Sequence, residues 1–196
     1  MEGQSLLPAE QKGCHPGSKC CKGQVMISKA IYGDCRRRNK NLSIAWIDYQ
    51  KAFDSVPHGW VEESIAFEGE KSKIVRSGKL SMEKWKTRHI LKTKHEVMQS
   101  QPIQIRRGIF QEDSLSPLFF CIALIPLTIE LNKADCGYQV HGTERKISHL
   151  FHMDDLKLLG RNENDLKNEM KIVHTISKDI HMNFNLKNVQ GSVKKK

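Results

Sequence analysis

Three acidic residues stand where carboxylates can do chemistry. Asp48 closes the apolar run 42–48, and Asp154 and Asp155 lie side by side after Met153, between the apolar segments 147–151 and 156–159. Their company is Ile44, Trp46, Ile47, Leu150, Leu156 and Leu158. An uncompensated carboxylate buried among such residues costs several kcal/mol. Adjacent acids also repel and raise one another's pKa. A hard divalent cation removes both penalties, and Mg²⁺ takes oxygen ligands of this kind. The chemistry that needs such a site is phosphoryl transfer with two metals roughly 3.5–4 Å apart. An Asp-Asp pair in a hairpin turn is more commonly solvated turn chemistry, and residue types alone leave that plainer reading open.

Periodicity and turn residues predict the elements that position these acids. Residues 1–23, with Pro8, Pro16 and four glycines, read as a poorly structured segment. A helix is predicted from Val25 to about Arg38, with Ile27, Ala30, Ile31 and Asp34 at helical spacing. Its basic end, Arg36-Arg37-Arg38, suits either the negative helix terminus or a phosphate. The run 42–48 reads as a strand. After a turn, Pro57 fits the first position of a helix carrying Trp60, Val61, Ile65 and Ala66. The polar stretch EGEKSKIVRSGK (68–79) is either loop or the frayed start of a helix. Leu80, Met82 and Trp85 suggest a helical segment, then a hairpin around Ser100 to Pro102, with Ile103 and Ile105 on a half-exposed strand.

Ser114, Ser116 and Pro117 make a helix start, and the helix that follows is apolar nearly all round. Two short strands flank the acid pair. A last amphipathic helix carries Leu166, Met170, Val173 and Ile176, capped by Asn162 or Asn164. This order predicts an α+β fold, an antiparallel sheet covered by helices. The domain spans 24–188, a basic tail 189–196 follows, and no internal repeat is visible.

A chain of 196 residues reads as one domain with a sizeable core. Its 32 Lys and Arg against 22 Asp and Glu give a net charge of +10, which favours a polyanionic partner, nucleic acid before a membrane surface. The longest apolar stretch, 115–131, is interrupted by Pro117, Pro126 and Glu130 and falls short of the roughly 20 residues that span a bilayer. A buried core helix and no membrane partner are expected. The opening residues MEGQSLLPAEQKG lack a secretory pattern, so an intracellular protein, cytoplasmic or nuclear, is expected. The six cysteines suit free thiols. Cys14, His15, Cys20 and Cys21 cluster, but Cys20-Cys21 lacks the two-residue gap of a zinc-chelating pair.

Longer motifs surround the acids. Residues 45–58, AWIDYQKAFDSVPH, resemble the first catalytic motif of non-LTR retrotransposon reverse transcriptases. Residues 107–120, RGIFQEDSLSPLFF, resemble that family's RGxxQGDxLSPLLF, and residues 147–158, ISHLFHMDDLKL, its SHLLYMDDLKL. All three occur in the family's order, and the similarity runs from about Glu10 to Lys187. The resemblance implies a polymerase palm with incomplete fingers and no thumb, performing RNA-directed DNA synthesis by two-metal nucleotidyl transfer. It implies Asp48, Asp154 and Asp155 as catalytic residues holding two Mg²⁺, with Mn²⁺ as a substitute, and the carbonyl of Tyr49 as a further contact. Phe53 matches the bulky gate beneath the nucleotide sugar, which selects deoxynucleotides. Gln111 matches the glutamine lying against the nucleotide, and Lys187 aligns weakly with a lysine of a later motif. Asp54 reads as a capping residue. The implied partners are an RNA template, a DNA primer and a deoxynucleoside triphosphate.

This chain departs from the family pattern at several positions. Glu112 replaces the glycine of Gln-Gly-Asp, adding bulk and negative charge where backbone must approach phosphates. His152 replaces the tyrosine before Met-Asp-Asp, Cys20-Cys21 the early Gly-Cys, and Asn185 and Asn188 a later glycine and cysteine. With incomplete fingers and no thumb or endonuclease segment, the expected polymerase is weak or inactive. The alternatives are a non-catalytic nucleic-acid-binding remnant and a relic without a selected role.

Overall fold

Alternation of small or apolar with larger or polar residues along SIAWIDY builds the central strand of the molecule. The structure is a computed structural model that describes residues 6–14, 21–67, 73–110 and 113–190. The chain opens with α1 (Cys21–Arg37), β1 (Ser43–Tyr49), α2 (Ala52–Ser55), α3 (His58–Phe67) and α4 (Lys73–Met82). Four short strands follow, β2 (Lys86–Thr87), β3 (Ile90–Lys92), β4 (Val97–Gln99) and β5 (Ile103–Gln104). Next come α5 (Ser116–Ala123), α6 (Ile125–Lys133), β6 (Tyr138–Gln139) and β7 (Lys146–Ile147). The last described elements are β8 (His149–His152), β9 (Asp155–Gly160), α7 (Glu163–Asp179) and β10 (Phe184–Gln190).

The main sheet has the order β10-β1-β9-β8, antiparallel throughout, which is the α+β arrangement expected. Ser43, Ala45, Ile47 and Tyr49 of β1 are buried, while Ile44, Trp46 and Asp48 point to the half-open face. The buried face joins α5, α6 and α7 in a core of Phe119, Phe120, Ile122, Leu127, Leu158 and Val173. Tyr49 and Ser177 exchange a hydrogen bond of 3.1 Å beneath it. A smaller cluster of Ile31, Cys35, Leu42, Tyr138, Leu150 and Leu159 ties α1 and β6 to the sheet. Helix α7 starts at Asn162, whose side chain accepts from the Asp165 N–H at 2.9 Å.

The expected apolar helix after Ser114 is two helices that meet at Leu124. Pro126 has no N–H to continue the ladder, which explains the break there. Taken together, residues 116–133 are long and apolar enough to cross a membrane, but 61% of that stretch is buried inside the fold. Its start is organised by Asp113, whose side chain accepts from Leu115 N at 2.8 Å, rather than by Ser114 or Ser116. The hairpin also differs from expectation. The β3–β4 turn lies at residues 93–96, where Thr93 N donates to Glu96 O at 2.8 Å. Ser100 and Pro102 mark a break between two tiers, β3–β4 and β2–β5. Pro102 cannot donate to a ladder, so pairing resumes only beyond it. The stretch 68–79 enters α4 at Lys73.

Candidate active site

The register of β1 and β9 decides where the acids go. Asp48 is paired directly with Asp155, and Trp46 with Lys157. Residues paired across an antiparallel ladder share a face, so the two carboxylates sit together at one end of the sheet. On the other side Asp48 pairs with Asn185 of β10, whose side chain accepts from Gln50 Nε2 at 2.8 Å. Asp154 lies in the two-residue turn that joins β8 to β9, after Met153 with φ of 55°. A left-handed residue suits the right-handed twist of such a hairpin but strains any side chain other than glycine.

That turn is held by the segment before α1. Lys12 N donates to Phe151 O at 2.9 Å, Phe151 N donates to Glu10 O at 2.9 Å, and Gln11 makes a parallel bridge with Phe151. Gln11 is 2% exposed. Its Oε1 accepts from Met153 N at 3.1 Å and Gly13 N at 2.8 Å, and its Nε2 lies 3.4 Å from Met153 O. A Cβ on Gly13 would come within 2.7 Å of Met153 Sδ, so the close approach requires glycine. The thiols of Cys14 and Cys121 flank the same sulfur at 4.0 and 3.7 Å. Sequence reasoning missed Gln11, because no periodicity marks a contact across 142 positions.

Burial pushes the Asp154 carboxyl above the usual carboxylate range, and the charges of Asp155 and Asp48 push the same way. Crowded oxygen donors of this type are what a hard divalent cation neutralises, so the donor set fits one chemically. Among the described residues, no group of three or more His, Cys, Asp or Glu side chains is arranged to hold a metal ion. Ligation therefore requires the three carboxylates to turn toward a common point. His152 Nε2 lies 3.2 Å from Cys21 Sγ, and its charge acts on Asp154 in the direction opposite to that of Asp155 and Asp48.

The remaining predicted residues fall into two groups. Tyr49 sends its ring away from the acids into the core, where burial pushes its hydroxyl up to about 12. Phe53 stacks on Phe120 with ring centroids 4.7 Å apart. The segment 106–109 lies along 53–58, through Ile109 N to Phe53 O (2.8 Å), Gly108 N to Val56 O (2.8 Å) and His58 N to Arg106 O (3.0 Å). Gly108, with φ of 88°, passes so close that a Cβ would meet Asp54 O at 3.2 Å. The residues before Gln111 are thereby fixed beside Phe53. Gln111, Glu112 and Cys20 lie outside the described residues, as does the side chain of Lys187. Asp54 is exposed in the first turn of α2, and Lys51 rather than Asp54 occupies the cap position.

Two cavities flank this end of the sheet. One of about 710 Å³ is lined by Arg107, His174, Lys178, His181 and Asn185, the register partner of Asp48. The other, about 570 Å³, lies between α1 and the half-open face and reaches Trp46, His152, Asp155 and Lys157. Burial lowers the Lys157 pKa, and its ammonium sits 5.0 Å over the Trp46 ring while donating to Ser28 Oγ at 2.9 Å.

Comparison with known proteins places these features. Residues 2–196 match the sequence model of the family described as reverse transcriptase (RNA-dependent DNA polymerase). The chain is 33% identical over 169 residues to the retrovirus-related Pol polyprotein from type-1 retrotransposable element R2 of Nasonia vitripennis, a match covering 83% of this chain and 15% of that one. It is similar in fold to apo telomerase from Candida tropicalis truncated from its C-terminal domain, with a TM-score of 0.61, 14% identity, and coverage of 92% of this chain and 37% of that one. Telomerase from the same organism in complex with a fragment of telomeric RNA gives a TM-score of 0.61 at 16% identity, covering 90% and 29%. The chain thus spans a small part of the Pol polyprotein and about a third of the telomerase chains.

Proposed function

The chain belongs to the reverse transcriptase (RNA-dependent DNA polymerase) family, and from that premise we propose that the acid end of its sheet is the site of RNA-directed DNA synthesis. The observation that carries the reading is the register of Asp48 against Asp155, with Asp154 in the adjoining turn. These three residues would hold two Mg²⁺ ions, for which Mn²⁺ can substitute. The ions supply charge neutralisation at the triphosphate and a more acidic primer hydroxyl. The chain's own groups do the placing. Phe53, backed by Phe120, offers a ring that would exclude a 2′-hydroxyl, and Gln111 is matched by motif to the glutamine that contacts the nucleotide in the family. The carbonyl of Tyr49 adds an oxygen donor next to Asp48. Arg107 and Lys178 give the larger cavity a positive lining suited to phosphates.

The substrates are an RNA template, a DNA primer and a deoxynucleoside triphosphate, handled inside the cell. Support for the template comes from the net charge of +10 and from the likeness to a telomerase solved with RNA. The assay is primer extension on an RNA template with Mg²⁺ or Mn²⁺, parent beside Asp154→Asn. Metal-dependent extension by the parent alone supports the proposal. Equal extension by both proteins would overturn it.

A second reading, binding of nucleic acid without extension, is favoured by the absence of a closed acid cluster among the described residues and by Glu112. It predicts template binding that weakens steeply with salt, no extension, and no gain from Glu112→Gly.

A further inference from the structure

We propose that Gln11 is a positioning residue for the acid turn, acting through the main chain of Met153. The proposal rests on the reading of Asp154 and Asp155 given above and adds what sets their geometry. A hairpin turn with a non-glycine residue at positive φ stays put only where its surroundings over-determine it. Here one side chain holds the backbone of that residue. Gln11 is almost fully buried, accepts from Met153 N, and has its amide nitrogen beside Met153 O. It thus holds both main-chain polar groups of the residue that precedes Asp154. Gln11 is itself fixed by the bond from Gly13 N and by the strand-like bonds of Glu10 and Lys12 to Phe151. An amide suits this place because it donates and accepts at once, whereas a carboxylate only accepts.

The apolar side of the turn is pinned independently. Met153 Sδ sits against the Cys14 and Cys121 thiols, and Gly13 leaves it room. Rotation of Met153 is therefore opposed on its backbone by Gln11 and on its side chain by sulfur contacts. Asp154 follows directly in the chain and Asp155 begins β9, so the setting of Met153 is passed to both carboxylates.

The experiment uses the full chain with Gln11→Leu, Gln11→Glu and Gly13→Ala, beside Asp154→Asn. Amide exchange over residues 151–156 is read without metal, and Mn²⁺ affinity is read from the shift in melting temperature. Gln11→Leu is expected to exchange faster around Met153 with α7 unchanged, and to bind Mn²⁺ about 10–100-fold more weakly, the usual cost of losing an outer partner of a metal ligand. Gln11→Glu keeps the two accepted bonds but cannot donate to Met153 O and buries a charge, so it too should lose protection and Mn²⁺ affinity. Gly13→Ala pushes on Met153 from the same segment and should also weaken Mn²⁺ binding, which keeps the test decisive if Gln11→Leu does not fold.

Parent-like exchange and affinity in Gln11→Leu, or in Gly13→Ala where Gln11→Leu does not fold, would overturn the proposal. Faster exchange with unchanged Mn²⁺ affinity would reduce Gln11 to a structural tie and overturn it as well. If the parent responds to Mn²⁺ no more than Asp154→Asn does, the acid reading itself fails and takes the positioning role with it.

Discussion

The β8–β9 turn and the β3–β4 turn are both tight antiparallel hairpins, yet the molecule holds them in different ways. Around the first, Phe151, Leu156 and Leu158 are buried, and Gln11 reaches the turn across 142 positions of sequence. Around the second, Ile90, Leu91, Val97 and Met98 are 45–59% exposed, and the bonds are local, such as Thr93 to Glu96 and His89 to Ser100. An isolated two-stranded ribbon is marginal in water, whereas a turn tied into a core is not. Carboxylates that must meet one metal need the second kind of support. The ribbon instead offers surface. Lys86, Arg88, Lys92 and Lys94 outnumber Glu96 there, which suits contact with phosphates.

The largest predicted effect sharpens this contrast at the acid end. Asp48→Asn or Asp154→Asn should lower metal-dependent extension by on the order of 10³-fold, since several kcal/mol of charge stabilisation goes with the carboxylate. The melting temperature of either variant without metal should stay level or rise, because like-charge repulsion is eased. A parallel loss of folding would break the assignment.

Next in size is the scaffold. Phe120→Ala removes a buried ring that also backs Phe53, and should cost about 3–5 kcal/mol in denaturant unfolding. The matched change Ile90→Ala on the ribbon should stay within about 0.5 kcal/mol. Similar losses at both sites would erase the distinction drawn between them.

Glu169 tests the core from its charged side. Among the described residues neither of its carboxyl oxygens has a hydrogen-bond partner, and burial, helped by Asp165, pushes its pKa from 4.5 up to about 8. The folded chain then keeps a proton that the unfolded chain releases above about 4.5. Stability attributable to this group therefore falls as pH rises from about 4.5 to about 8, by at most about 1.4 kcal/mol per unit. Glu169→Gln should melt higher than the parent at pH 8 and much closer to it at pH 5. A constant difference across that window would contradict the assigned cause.

The smallest effect belongs to the ribbon charges. Lys92→Glu with Lys94→Glu should leave the melting temperature unchanged and reduce the salt dependence of template binding by about two phosphate contacts. An unchanged salt slope would remove the ribbon from the nucleic-acid surface.

What could be read from sequence follows the same division. Strands β1 and β9 are visible in short apolar runs bounded by acids, Asp48 near the end of β1 and Asp155 at the start of β9, and the Asn162 cap of α7 in a local signal. The likeness of residues 45–58, 107–120 and 147–158 to one family supplied the chemistry proposed for the site. Distant ties were not legible. Gln11 stands in a glycine- and proline-containing stretch that reads as loop, and its partner is set only by the fold. The ribbon turn was displaced to Ser100–Pro102 because proline is a strong local marker, while Thr93 closes the true turn with bonds that composition does not announce. Asp54 illustrates the same limit, since a plausible cap residue lost its place to the left-handed Lys51.

The central claim is that Asp48, Asp154 and Asp155 together take up divalent metal. Its most direct test is to titrate Mn²⁺ into the full chain and count bound ions from the loss of the free-ion paramagnetic signal, beside Asp48→Asn and Asp154→Asn. The account predicts two ions on the parent and weaker or fewer ions on each variant. Equal uptake by all three proteins, or none by the parent, would contradict it.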